Sequence, residues 1–117
     1  MFDFEKLDVY GIAQEVVVRV YKLIKENQGM DDVLVKQLKQ SSTSVLLNLS
    51  EGTGRMTNKD KQYYYTIARG SVFESVAILN LLKELKQIGD EEHQLIYTGF
   101  ESCSKMLLAM YRSQNPK

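Results

Sequence analysis

Cysteine is almost missing from this 117-residue chain: Cys103 stands alone. One thiol excludes an internal disulfide framework, and nothing in the cysteine usage points to secretion. Histidine is as scarce, with His93 the single one. A di-iron helical bundle needs two Glu-x-x-His pairs, which one histidine cannot supply. An excess of charge of one sign is absent too, since 15 basic and 15 acidic residues cancel. That removes the simplest case for a nucleic-acid binder, which is usually basic overall. No apolar run approaches the ~20 residues of a membrane span. The opening Met1-Phe2-Asp3-Phe4-Glu5 is acidic where a signal peptide is basic, so the expected location is cytoplasmic, with no membrane contact. One proline and no low-complexity stretch leave no candidate linker. What is present, 44% hydrophobic and 26% charged residues, reads as a single globular domain over residues 1–117. A chain of this size buries roughly two-thirds of its unfolded surface.

The charges cancel unevenly. Residues 1–32 carry 4 basic and 7 acidic residues (−3), residues 33–69 carry 6 and 2 (+4), and residues 70–117 carry 5 and 6 (−1). The middle third is a basic block in a neutral protein.

Four segments show helical periodicity, and none alternates as a strand does. The first runs from about Leu7 to Asn27, with apolar residues from Val9 to Ile24 at three- and four-residue steps. Asn27-Gln28-Gly29 ends it, and Gly29 suits a left-handed cap. The second starts near the N-capping Asp31-Asp32 and runs to Glu51, where Gly52-Thr53-Gly54 breaks the pattern. The third opens after Thr57, with Asp60 three residues on as in a capping box, and continues through Ile88. The fourth follows Gly89-Asp90, carries Leu95 to Tyr111, and frays at Asn115-Pro116-Lys117. Short connections favour antiparallel neighbours. The expected fold is all-α, an up-down-up-down antiparallel four-helix bundle.

Three runs of consecutive apolar or aromatic residues are too wide for one core-facing stripe: Val16-Val17-Val18, Val45-Leu46-Leu47 and Tyr63-Tyr64-Tyr65. Each sweeps about 200° of a helix. Some of these side chains must lie outside the core, either as scattered surface apolar residues or in a subunit interface. Three such runs favour a homo-oligomer.

On the second helix, Gln37, Ser41, Ser44, Asn48 and Glu51 form a polar ridge that Arg55 extends. Small hydroxyl and amide side chains fit a half-buried seam better than a solvated face, and the expectation is that Asn48 and Glu51 bond across helices. Gly70 and Ser71 lie inside the third helix, where glycine costs ~1 kcal/mol relative to alanine. This predicts close approach of another helix there, and a contact from Glu74 to the second helix. Gly52-Thr53-Gly54-Arg55 lacks the ending of a phosphate-binding loop and follows no strand, so it reads as a helix-terminating turn.

Arg55, Lys59, Lys61 and Arg69 surround the tyrosine run, and Lys36 and Lys39 could extend the set. Cations for phosphates and rings for bases are what single-stranded nucleic acid requires. The alternative is a solvated charged face with the tyrosines in the core or an interface. Cys103 and His93 sit ten residues apart, too far along a helix to make a nucleophile and its base. Cys103 reads as a small core residue and His93 as a surface residue. No catalytic residue, metal, cofactor or small-molecule substrate is expected.

Residues 44–74 resemble the bacterial four-helix-bundle proteins encoded in intervening sequences of the large-subunit ribosomal RNA gene. These are similar in turn to the accessory variability protein of diversity-generating retroelements. The family pattern Ser-Ile-Pro-x-Asn-Ile-x-Glu-Gly-x-Gly-Arg is met at Ser44, Asn48, Glu51, Gly52, Gly54 and Arg55. The following Ile-Ala-x-Gly-Ser-x-x-Glu is met at Ile67, Ala68, Gly70, Ser71 and Glu74. The opening Phe4-Glu5-Lys6-Leu7-Asp8-Val9-Tyr10 and Gln37-Leu38 also match, while Leu46 stands where the family usually has proline. The resemblance implies a bundle protomer in a ring, a homopentamer in the better-understood relatives, and a non-enzymatic role. Its shared residues read as structural, Arg55 being the one candidate exception. The retroelement relatives assist a reverse transcriptase and contact nucleic acid through a basic surface. Two functions are therefore expected candidates: a homo-oligomeric scaffold binding RNA or a nucleoprotein, and an oligomeric protein-interaction module without nucleic-acid contact.

Overall fold

A computed structural model of the chain describes residues 1–114, so the expected fraying at 115–117 lies outside the described residues. A short 3-10 turn, Asp3–Lys6, leads into four helices: α1 (Asp8–Glu26), α2 (Asp32–Gly54), α3 (Asn58–Glu84) and α4 (Asp90–Ser113). There is no strand among the described residues. Each helix packs on its neighbours in sequence, and α4 closes back on α1. The result is the expected all-α antiparallel four-helix bundle, 47 × 28 × 22 Å.

Each helix buries one stripe. On α1, Val9, Ala13, Val16, Val20 and Leu23 recur at steps of four and three. Leu38, Val45 and Leu49 on α2 meet Tyr65, Ala68, Val72, Leu79 and Leu82 on α3 and Ile96, Phe100, Cys103 and Leu107 on α4. A buried leucine of this kind stabilises the fold by about 1.5–3 kcal/mol. The starts of α2 and α3 are as the sequence predicts. The Asp31 carboxylate accepts the Val33 and Leu34 N–H groups, and the Thr57 hydroxyl accepts that of Asp60. The connections at one end of the bundle are tied together, since the Asp31 N–H donates to Gln87 Oε1 at 2.8 Å.

Several ends differ from expectation. No glycine takes a positive φ, so Gly29 is not a left-handed cap. The Asn27 side chain does that work, donating to the Leu23 carbonyl at 2.8 Å. Helix α2 continues to Gly54 rather than stopping at Glu51, and it passes Leu46 unbroken. Helix α3 stops at Glu84, short of Ile88. Lys86 takes φ 59°, its N–H donating to the Lys83 carbonyl while the Gln87 N–H reaches that of Leu82. This pair of bonds is the Schellman stop, here without its usual glycine, which is why the sequence hides it.

Two glycines are required by packing. A Cβ on Gly52 would stand 2.6 Å from Tyr65 Cε1. The last turn of α2 thus lies directly on the buried Tyr65 ring, and Gly52 is a contact point inside a helix rather than part of a turn. A Cβ on Gly99 would collide with the Val16 side chain, so Gly99 sets the α1–α4 approach, a role the sequence reading missed. Gly70 is the opposite case. No described residue lies within 4 Å of where its Cβ would be, so the expected close approach of another helix does not occur among the described residues.

Candidate nucleic-acid interface

The polar ridge of α2 is a seam, but serines carry it. Ser41 and Ser75 share a hydrogen bond of 2.7 Å, and Ser44 and Ser71 one of 2.8 Å. Asn48 bonds within its own helix, to the Ser44 carbonyl and hydroxyl. Glu51 pairs with Arg55 four residues on. Gln37 is exposed. Glu74 is exposed and has no ion pair or hydrogen bond among the described residues, so the predicted Glu74 contact to α2 is absent. Pairs of small hydroxyls let α2 and α3 come close, whereas the longer Asn and Glu side chains turn along their own helix.

The six cations expected to form one patch occupy three places. Arg55, Lys59 and Lys61 stand at the end of the bundle where α2 hands over to α3. Lys61 Nζ donates to the Thr53 carbonyl at 2.8 Å, capping α2 where unpaired carbonyls concentrate negative charge. Arg55 donates to the Tyr64 hydroxyl at 2.7 Å, lies 4.5 Å above the Tyr64 ring centre, and pairs with Glu51 at 2.6 Å. Lys59 is exposed and has none of these ties. Tyr63 beside it is 60% exposed and meets Tyr64 edge to face.

Lys36 and Lys39 do not extend this set. Sixteen residues separate Lys39 from Arg55, about 24 Å along a helix. Lys39 instead lies over the Tyr21 ring, and Lys22 and Lys25 of α1 line the same groove. Arg69 faces the opposite side, where its Nε donates to the Ser104 carbonyl of α4 at 3.1 Å and its guanidinium covers Phe73. Helical periodicity shows which face a cation occupies but not what it leans on, so the sequence grouped residues that the fold disperses.

The two groups with nucleophilic or acid–base chemistry are both enclosed. Burial pushes the Cys103 thiol up to about 11, where it carries little thiolate at neutral pH. His93 is buried, not on the surface as expected. Its Nε2 lies 2.7 Å from Asn80 Oδ1, its ring stacks on Tyr97, and its enclosed Nδ1 has no partner among the described residues. Burial lowers its pKa, and Lys83 lowers it further against the opposing pull of Asp90. No three His, Cys, Asp or Glu side chains converge to hold a metal among the described residues. No helix there is long and apolar enough to cross a membrane.

A model of the family described as 23S rRNA-intervening sequence protein matches residues 5–109. The chain belongs to that family. The match takes in the whole of the Ser44–Glu74 pattern. A crystal structure of a protein with unknown function from the S23 ribosomal protein family of Bacteroides thetaiotaomicron has the same fold. It superposes with a TM-score of 0.82 at 25% identity, over 89% of this chain and 98% of that one. Neither description names an enzymatic activity. No curated protein matches the chain.

Proposed function

We propose that this 23S rRNA-intervening sequence protein is a non-enzymatic, self-associating helical scaffold of the cytoplasm. It contacts RNA at the bundle end formed by Arg55, Lys59 and Lys61. The observation that carries the reading is the placement there of Lys59, which has no ion pair or hydrogen bond among the described residues, next to the exposed ring of Tyr63. Arg55 and Lys61 hold the surrounding turn in place. Phosphate attraction and base stacking together suit a single-stranded segment. The cations on the flanks of the bundle, Lys39 and Arg69, have other neighbours and are not part of this contact.

The test is fluorescence anisotropy with single- and double-stranded RNA at low and physiological salt. Binding that weakens with salt at about 0.7 per phosphate contact on a log–log plot, and falls several-fold in Lys59→Ala, supports the reading. No binding at low salt rules the RNA contact out. A second reading, a protein-interaction module without nucleic acid, is favoured by one specific observation. Arg55, Lys61 and Arg69 already serve intramolecular partners. In that case co-purification with a protein partner remains when RNA binding is absent.

A further inference from the structure

The groove between α3 and α4 joins an apolar lining to a single cation. Tyr65, Gly70 and Phe73 of α3 and Leu108 and Tyr111 of α4 line a space of about 410 Å³, and Arg69 is its one charged residue. Small-molecule sites have volumes of about 300–1,000 Å³, mostly apolar walls and a few polar groups that fix orientation. Gly70 keeps this space open. A Cβ there would meet no described residue within 4 Å, so the helical cost of glycine is not offset by closer packing among the described residues. Any longer side chain would take up room in the groove.

Two polar groups on the wall lack a partner. The Arg69 guanidinium lies 4.8 Å above the Phe73 ring centre, and its Nε donates to the Ser104 carbonyl at 3.1 Å. Its two terminal nitrogens have no acceptor among the described residues. Held flat on a ring and tied at Nε, the guanidinium presents the end of its fork, whose two N–H groups match the two oxygens of a carboxylate. Glu101 lines the adjoining, smaller groove that shares Phe73, and it makes no ion pair with Arg69. Tyr65 is 3% exposed, yet its hydroxyl has no hydrogen bond among the described residues. A tyrosine buried to this degree normally bonds through its hydroxyl. An uncharged apolar occupant would leave the guanidinium fork unmatched, and a highly charged one would set its charges against apolar walls. One negative group on an apolar body suits both features.

We propose that the α3–α4 groove binds a small monocarboxylate with an apolar body, an alkanoate or aryl-alkanoate. Its carboxylate meets the terminal nitrogens of Arg69, and its body lies over Gly70 against Phe73 and Leu108. The RNA contact at the α2–α3 end is not needed for this, so the two readings stand or fall separately.

An NMR titration of the isotope-labelled full chain with phenylbutyrate tests the site, with phenylbutanol as an uncharged counterpart of similar size. The acid is expected to give saturable shifts centred on the amides of Gly70, Phe73 and Leu108. It is expected to bind about tenfold more tightly than the alcohol. Arg69→Gln is expected to bring the acid down to the affinity of the alcohol. Gly70→Leu is expected to abolish binding of both, while its thermal midpoint stays at or above that of the wild type, because leucine is the better helix former. Circular dichroism verifies that both variants are folded. An acid that binds no more tightly than the alcohol, or that keeps its affinity in Arg69→Gln, overturns the carboxylate assignment. Shifts centred elsewhere, no saturable shifts, or unchanged binding by a folded Gly70→Leu overturn the site. Shifts at Gly70 and Phe73 that follow protein concentration and not ligand mean that a second copy covers the groove, and they overturn it as well.

Discussion

Lys86 shows how a single residue can hold a backbone shape that its side chain does not favour. Its φ of 59° is left-handed, where a Cβ costs about 1–2 kcal/mol. Glycine avoids that cost but is looser in the unfolded chain. Lys86→Gly is therefore expected to stabilise the protein by about 0.5–1 kcal/mol, read as a raised urea midpoint at constant slope. Gly52 makes the reverse case. Adding one methyl group against the Tyr65 ring, which is 3% exposed, forces the two helices apart. Gly52→Ala should cost about 1–3 kcal/mol by the same measurement, and an unchanged midpoint would falsify the contact described for Gly52. Neither residue could be assigned from the sequence. A glycine two residues before another reads as a turn, and a lysine among surface residues gives no sign of its dihedral angle.

At the scale of helices, much was legible because burial follows period. In each consecutive apolar run one member is buried, one half-buried and one exposed: Val16, Val17 and Val18; Val45, Leu46 and Leu47; Tyr65, Tyr64 and Tyr63. The 100° step that made those runs conspicuous is the step the structure shows. The α2–α3 seam was legible as a polar line and illegible in its bonds, since Ser44, Asn48 and Glu51 each stand about one turn from the next on the same face and only side-chain length decides which reaches across. That seam supports a double-mutant prediction. Ser75→Ala leaves the buried Ser41 hydroxyl without its 2.7 Å partner and should cost about 1–2 kcal/mol, whereas Ser41→Ala with Ser75→Ala should cost clearly less than the sum of the two single changes. Additive costs, from chemical denaturation of all four proteins, would mean that the two hydroxyls do not depend on each other. The candidate interface was the least legible element-scale feature. Arg69 was grouped with Lys61 by spacing along α3, but Arg69 is drawn to a carbonyl of α4, and no single helix records its neighbour's carbonyls.

For the whole molecule, His93 links a local titration to global stability. A single bundle of this size with no internal disulfide is expected to unfold as a unit, so any group whose pKa differs between the folded and unfolded chain tilts the entire equilibrium with pH. Folding lowers the His93 pKa below its ordinary value of 6.5, because the ring is buried first of all and because Lys83 stands near. Between the lowered folded value and 6.5 the unfolded chain binds a proton that the folded chain refuses. The stability associated with neutral His93 is thus complete above about pH 6.5 and is lost as the pH falls through the window below it. The geometry gives the reason: Nε2 is engaged with Asn80, so a second proton would have to sit on the enclosed, partnerless Nδ1. The measurement is the thermal midpoint at pH 7.5 and pH 5.5 for wild type and His93→Gln, whose amide can still donate toward Asn80. Wild type is expected to lose more stability over that interval than the variant. If instead wild type gained on the variant toward low pH, the nearby Asp90 carboxylate, which pulls the other way, would outweigh burial, and His93 would be a charged partner of the first turn of α4 rather than a neutral part of the α3–α4 core.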